Sequence, residues 1–219
     1  MMDYTDDEYQ ILKKFEEEKT KYETFSAAVI SFFEKDLECK EHIHSIRCRT
    51  KDADHLIKKI RRKNEKEKIV TVDNLFEKVT DLVGIRVLHL HLSQFEYIHN
   101  SIIRQINEKE WALFEPPQAY TWDIESKEYF ENKLKINTKL KESYYTSIHY
   151  VVKPRHDAFQ TCEIQVRTLL EETWGEIDHT MNYPQKHNDE YCQSQLKVLA
   201  RLINASGHLA DLIMNQYKS

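Results

Sequence analysis

The sequence predicts an α/β fold: a mixed sheet of about five strands flanked by helices, with helical extensions at both ends. Three observations carry this. Branched, apolar strand-like segments alternate with helical ones through the middle of the 219-residue chain. Long stripes of apolar residues at helical spacing occupy both ends. Gly numbers only 3 and Pro 4, too few for a loop-rich or disordered chain.

The elements follow in order. Residues 1–36 read as one amphipathic helix, because Ile11, Phe15, Tyr22, Phe25, Val29 and Phe32 recur at steps of three, four or seven. A second helix spans about 52–63, and 72–79 reads as a short one. Residues 81–92 form a strand rich in branched apolar side chains. Ser93 is placed to cap a helix over 93–106. A short strand at 111–114 is stopped by Pro116 and Pro117. Residues 118–141 hold a helix near 126–134 and then a loop. Strands follow at 144–152, stopped by Pro154, and at 161–168. A helix at 169–181 is ended by Pro184. The last helix, about 190–216, puts Leu196, Leu199, Leu202, Ile203, Leu209 and Ile213 on its inner stripe. All of this reads as a single domain over 1–219: a helical extension over 1–44, a core over 45–183 and a closing helix over 184–219.

Composition removes several classes. Hydrophobic residues at 40% are enough for a core, while 32% charged residues make a strongly polar surface. A net charge of -5 supplies no global positive field for nucleic acid. There is no run of about 18 apolar residues, so no membrane span is expected. The acidic N-terminus is unlike a secretion signal. Cys39, Cys48, Cys162 and Cys192 form no CxxC pair, which fits small hydrophobic residues in a reduced, cytoplasmic setting.

Three groups of residues carry chemistry. On the strand 162–168, side-chain alternation puts Cys162, Ile164 and Val166 inward and Glu163, Gln165 and Arg167 on the other face. That face is either the lining of a site or a solvated sheet surface. Asp81 precedes the strand 81–92, where a carboxylate can hold a hard cation or simply terminate a turn. Arg47, Arg49, Lys51, Lys58, Lys59, Arg61, Arg62 and Lys63 crowd a short stretch. Such a cluster suits a polyphosphate, and equally a solvated helix face. His89 and His91 read as core or surface histidines, and Trp174 with Ile177 as core. Asp178–His179 is either a dyad or a helix-end hydrogen bond.

Residues 47–60, 81–88, 143–152 and 162–179, in this order and spacing, resemble the synthetase domain of the RelA/SpoT family over roughly 45–183. No hydrolase or regulatory domain accompanies it, which is similar to the small alarmone synthetases. The resemblance implies a nucleotidyltransferase-like sheet and transfer of pyrophosphate from ATP to the 3′-hydroxyl of GTP or GDP, releasing AMP. It implies that Arg49 and Arg86 clasp adenine, with His55 beside them, and that Lys51 and Lys59 bind the ATP phosphates. Asp81 and Glu163 would hold Mg²⁺, and Glu163 would act as general base. On the acceptor side it implies Tyr145 as the base-stacking ring, Lys141 on the phosphates, and His149 and Gln165 at the junction, with Asp178 nearby.

The chain departs from the family pattern mainly on that side. His55 replaces a serine. Tyr144 stands where a glycine precedes the stacking tyrosine. Leu134 stands where a basic residue is expected, between Lys133 and Lys135. Glu172 replaces an asparagine that reads guanine, and its carboxylate is suited to accept from the N1–H and N2–H₂ edge of that base. The toxin branch of the family implies an alternative acceptor, the 3′ end of tRNA or an adenine nucleotide, with a protein antitoxin as partner. A non-catalytic nucleotide-binding regulator is the second alternative. A homo-oligomer is compatible with each.

Overall fold

The computed structural model describes residues 3–66, 69–183 and 187–218. Helix α1 (Asp6–Lys35) starts at a capping box: Thr5 accepts from the Glu8 amide while the Glu8 carboxylate accepts from the Thr5 amide. Its apolar stripe, including Ile11, Phe15, Tyr22 and Val29, is buried. Strand β1 (Ser45–Thr50) leads into α2 (Ala53–Asn64), which Asp52 caps by accepting from the His55 amide. Helix α2 divides cleanly. Leu56, Ile57 and Ile60 are buried, while His55, Lys58, Lys59 and Arg62 form the opposite stripe at steps of three and four.

The short α3 (Leu75–Lys78) precedes β2 (Val83–His89), then come α4 (Gln94–Asn107), β3 (Ala112–Thr121) and α5 (Ile124–Glu128). A π-helical turn over Tyr129–Lys133 leads to β4 (Asn137–Leu140). The chain closes with β5 (Ser147–Lys153), β6 (Cys162–Thr168), α6 (Leu169–Asn182) and α7 (Glu190–Lys218). The sheet has six strands in the order β1-β2-β6-β5-β3-β4, with β2/β6 and β3/β4 parallel and the other pairs antiparallel.

Alternation along β2 and β6 divides the sheet into two faces. Ile85, Val87, Cys162, Ile164 and Val166 join Ile148, Tyr150 and Val152 of β5 in a core covered by α1 and α4. Gly84, Arg86, Glu163, Gln165 and Arg167 point the other way. Register aligns them: Arg47, Arg86, Gln165, His149 and Gln118 form one cross-strand row through successive pairs.

Several sequence expectations are corrected. The sheet has six strands, because 45–50 and the supposed loop at 137–140 are strands. Both are edge strands, short and polar, so alternation is weak in them. Pro116 and Pro117 do not stop β3. They lie where its register with β5 slips, and β4 pairs only with Gln118–Thr121, so their missing N–H groups cost no ladder bond there. Ser93 occupies the N-cap of α4, but its hydroxyl meets His91 instead of the helix. Leu202, Leu209 and Ile213 are exposed, because α7 buries the adjacent stripe through Leu196 and Ala200. Ile177 is largely exposed, Cys48 is exposed and Cys192 is half-buried. Pro184 lies outside the described residues.

Candidate active site

A cavity of about 840 Å³ opens on the polar face of the sheet, roofed by α2 on one side and α6 on the other. Of the residues expected in a site, Arg49, Lys51, His55, Lys59, Asp81, Arg86, Tyr145, Glu163, Gln165 and Asp178 line it. Hence the polar face of β6 lines a cavity and is not an open, solvated sheet surface. His149 stands just behind this lining.

The β1–α2–β2 half is cationic. Lys51 Nζ lies 3.2 Å from Asp81 Oδ2, and Lys59 Nζ lies 2.5 Å from Asp81 Oδ1. Burial alone would push the Asp81 carboxyl up, but the two ammonium groups outweigh it and hold it below the ordinary aspartate value. Arg47, Lys58 and Arg62 also line the cavity and have no ion-pair partner among the described residues. Between Arg49 and Arg86 the floor is Gly84. A Cβ there would meet only the Glu163 carbonyl oxygen, at 4.0 Å, so the absent side chain leaves open space above the strand.

The other half is a network of single contacts. Tyr145 Oη lies 3.0 Å from His149 Nε2, and His149 Nδ1 lies 3.2 Å from Glu163 Oε1. Gln165 Nε2 donates to Glu163 Oε2 at 2.6 Å. Burial raises the Tyr145 phenol above its usual value, so it stays protonated at neutral pH. With its proton on Nδ1, the imidazole donates to Glu163 and its Nε2 accepts from the Tyr145 hydroxyl. Burial also acts to raise the Glu163 carboxyl, but the His149 contact and Gln165 outweigh it and keep it below the usual glutamate value. Glu163 is therefore an ionised, oriented carboxylate at neutral pH.

Two expected acceptor residues are placed elsewhere. Glu172 is 3% exposed. Its Oε1 lies 2.8 Å from Arg86 and its Oε2 2.6 Å from Arg167, so its carboxylate is consumed by two guanidinium groups and is turned away from any base edge. Lys141 is not part of the cavity lining: its ammonium sits 4.5 Å above the ring of Tyr120, which itself lies against Tyr145 and His149. Asp178 accepts from Asn182 within α6 at 2.8 Å, the helix hydrogen bond of the two alternatives, while it also lines the cavity.

Other groups of the lining were given no definite role by sequence reasoning. Arg167 is buried, lies against the Tyr145 ring and leaves its Nε unpartnered. Gly175 makes room for it, since a Cβ there would fall 2.9 Å from an Arg167 nitrogen. The rings of His179 and Tyr183 stack at 4.6 Å along the cavity rim. A glycine facing an arginine across two elements leaves no trace in local spacing. The alternation of Arg167 with Glu163 and Gln165 was the one usable signal.

A family model described as the region found in RelA/SpoT proteins matches residues 48–188. The chain belongs to the RelA/SpoT family. Similar solved structures agree on the fold. The small alarmone synthetase 1 from Bacillus subtilis, bound to its product pppGpp, superposes with a TM-score of 0.61 at 19% identity, covering 96% of this chain and 98% of that one. A GTP pyrophosphokinase family protein from Streptococcus pneumoniae gives 0.66 at 17% identity, covering 98% and 96%. The Bacillus subtilis synthetase bound to AMPCPP gives 0.57 at 18% identity, covering 95% and 94%. A search of curated protein sequences returns no match. Among the described residues, no helix of this RelA/SpoT chain is long and apolar enough to cross a membrane.

The donor set also fits the magnesium that the family implies. No three His, Cys, Asp or Glu groups converge among the described residues. Asp81 and Glu163 nevertheless face one cavity with hard oxygen donors. Mg²⁺ bound by one or two carboxylates completes its shell with water and substrate phosphates, and these two carboxylates would meet that need once Asp81 is released by Lys51 and Lys59.

Proposed function

We propose that this RelA/SpoT chain is an ATP-dependent pyrophosphokinase that transfers the β,γ-pyrophosphate of ATP to the 3′-hydroxyl of a guanine nucleotide, GTP or GDP, and releases AMP. The observation that carries this reading is one shared cavity with a cationic half around Asp81 and an oriented carboxylate, Glu163, facing it. Phosphoryl-type transfer depends on positioning and on neutralising phosphate charge, which is what this lining offers.

Arg49 and Arg86 take the adenine ring over the open floor at Gly84, with His55 at the edge. Lys51 and Lys59 exchange Asp81 for the ATP phosphates, and Arg62 adds a third cation. Tyr145 stacks on the acceptor base, with Arg167 at its ring. Glu163 accepts the proton of the 3′-hydroxyl as that oxygen bonds to the β-phosphorus. The bond from the β-phosphorus to the bridging oxygen breaks, and that oxygen leaves with AMP. His149 holds Glu163 in place through Nδ1. Asp81 and Glu163 would hold Mg²⁺, whose charge neutralises the phosphates.

A second reading has one observation behind it. With Glu172 committed to Arg86 and Arg167, no carboxylate at that position reads the guanine edge, and stacking on Tyr145 is indifferent to base identity. An adenine nucleotide or the 3′ end of a tRNA then competes as acceptor. Incubation with ATP labelled in the γ-phosphate and each of GTP, GDP, ATP and bulk tRNA tests both. Label on GTP or GDP supports the main reading, label on tRNA alone replaces the acceptor, and label on none of them sinks both.

A further inference from the structure

The segment joining β4 to β5 contains an outlier. Tyr144 has φ 63, in the left-handed region that a residue with a bulky side chain enters only at a cost. Something must hold it there. Its ring lies 4.9 Å from Trp122, and Arg201 of α7 approaches both its ring and its hydroxyl, the latter at 3.4 Å. Tyr144 also packs on the small cluster of Trp174, Leu196 and Ala200, where α6 meets α7. The indole of Trp174 ties that cluster together by donating to the Leu196 carbonyl at 3.0 Å.

The next residue is Tyr145. The turn at 144 sends the two neighbouring rings into different surroundings: Tyr144 to Trp122 and α7, Tyr145 into the cavity between His149 and Arg167. Tyr145 touches the same Trp174–Leu196–Ala200 cluster from its own side. It precedes β5, so no sheet ladder fixes its backbone.

We infer that α7 and Tyr144 position the Tyr145 ring: the C-terminal helix clamps Tyr144 in its left-handed conformation, and that clamp sets where the next ring stands. Tyr144 touches no reacting group and is a positioning residue. The consequence for acceptor affinity rests on the acceptor role proposed for Tyr145, whereas the positioning itself does not.

Tyr144→Gly tests this, because glycine occupies φ 63 at no steric cost and so releases the backbone while removing the ring's packing on Trp122 and the α6–α7 cluster. Tyr144→Phe keeps the ring and removes only the long contact to Arg201. The first readout needs no substrate: ¹⁹F NMR of 3-fluorotyrosine at position 145. Tyr144→Gly is expected to shift or broaden that resonance with only a modest fall in melting temperature from the lost ring packing, while Tyr144→Phe leaves it as in the parent protein. The second readout is kinetic. Tyr144→Gly raises the acceptor KM by about tenfold, within the cost of weakening one base–aromatic stack, and leaves the ATP KM unchanged. An unchanged resonance at 145 in Tyr144→Gly overturns the inference, as does a parallel rise of both KM values. A shifted resonance with an unchanged acceptor KM supports the positioning and removes Tyr145 from the acceptor site, which is a failure of the proposed function instead.

Discussion

The two halves of the cavity are built on opposite plans. The β1–α2–β2 half is crowded with cations within one short stretch of chain, and three of them have no ion-pair partner among the described residues. The half around Tyr145 and Glu163 holds few groups, and each is fixed by one or two contacts: His149 reaching in from β5, Gln165 from two residues along β6, and Arg167 against α6. Redundant charge tolerates the loss of a member, because its neighbours still neutralise a polyphosphate. A chain of single contacts does not. Mutations should therefore act unequally on the two sides.

The largest expected effect is at Glu163. Glu163→Gln keeps the shape and the contact with His149 but removes the base, and should lower kcat by about 10²–10⁴-fold with little change in either KM. A rate near that of the parent protein would take the proton acceptor away from Glu163. Next is Asp81→Asn, expected to cost about 100-fold and to raise the magnesium needed for half-maximal rate. An unaltered magnesium titration would show that Asp81 serves only to neutralise Lys51 and Lys59.

A pair of variants then sets the halves against each other. Tyr145→Ala should raise the acceptor KM by about 10–100-fold, the cost of a lost base stack. Lys59→Ala should raise the ATP KM by about tenfold, the lower range for a hydrogen bond to a charged group, since Lys51 and Arg62 remain. The Lys59 effect should shrink in high salt, as exposed charge interactions are screened, and the Tyr145 effect should not. Equal salt dependence of the two would erase the distinction.

Much of the fold was legible in the sequence, and one half of the site more than the other. The strands at 81–92 and 161–168 and the helix at 52–63 declare themselves by alternation and by the opposed stripes of α2. The basic stretch from Arg47 to Arg62 is equally plain, because its members are neighbours in sequence. In the half around Tyr145, the expectations for Glu172 and Lys141 failed for a physical reason. Glu172 reads as a base-edge acceptor until Arg86 and Arg167, from two different strands, take both its oxygens. Lys141 reads as a phosphate ligand until its ammonium is found over Tyr120. Both outcomes are set by tertiary contacts that no local pattern encodes. The edge strands β1 and β4 were missed because half-exposed edges lack the alternation that marks central strands.

The smallest effect on turnover at neutral pH, though not on stability, comes from two buried histidines outside the cavity. Burial pushes His89 and His99 down from 6.5 to about 4. Their unfolded forms bind a proton more readily than their folded forms. The stability they contribute is therefore complete above about pH 6.5 and is lost as pH falls toward 4, by up to about 3 kcal/mol for each histidine. His99 meets the Tyr150 hydroxyl at 2.7 Å beneath the acceptor half, so acid should loosen that half first. Melting curves between pH 7 and 5 on the parent protein and on His99→Gln would check it. A melting temperature flat over that range would contradict the burial of both rings.

The central claim is that the cavity moves a pyrophosphoryl group as a unit, and ³¹P NMR of the running reaction tests it most directly. With ATP, magnesium and GTP present, the account predicts that AMP appears one for one with a new diphosphate carried at the acceptor's 3′ position. Formation of ADP with a singly phosphorylated acceptor, or of free phosphate alone, would contradict it.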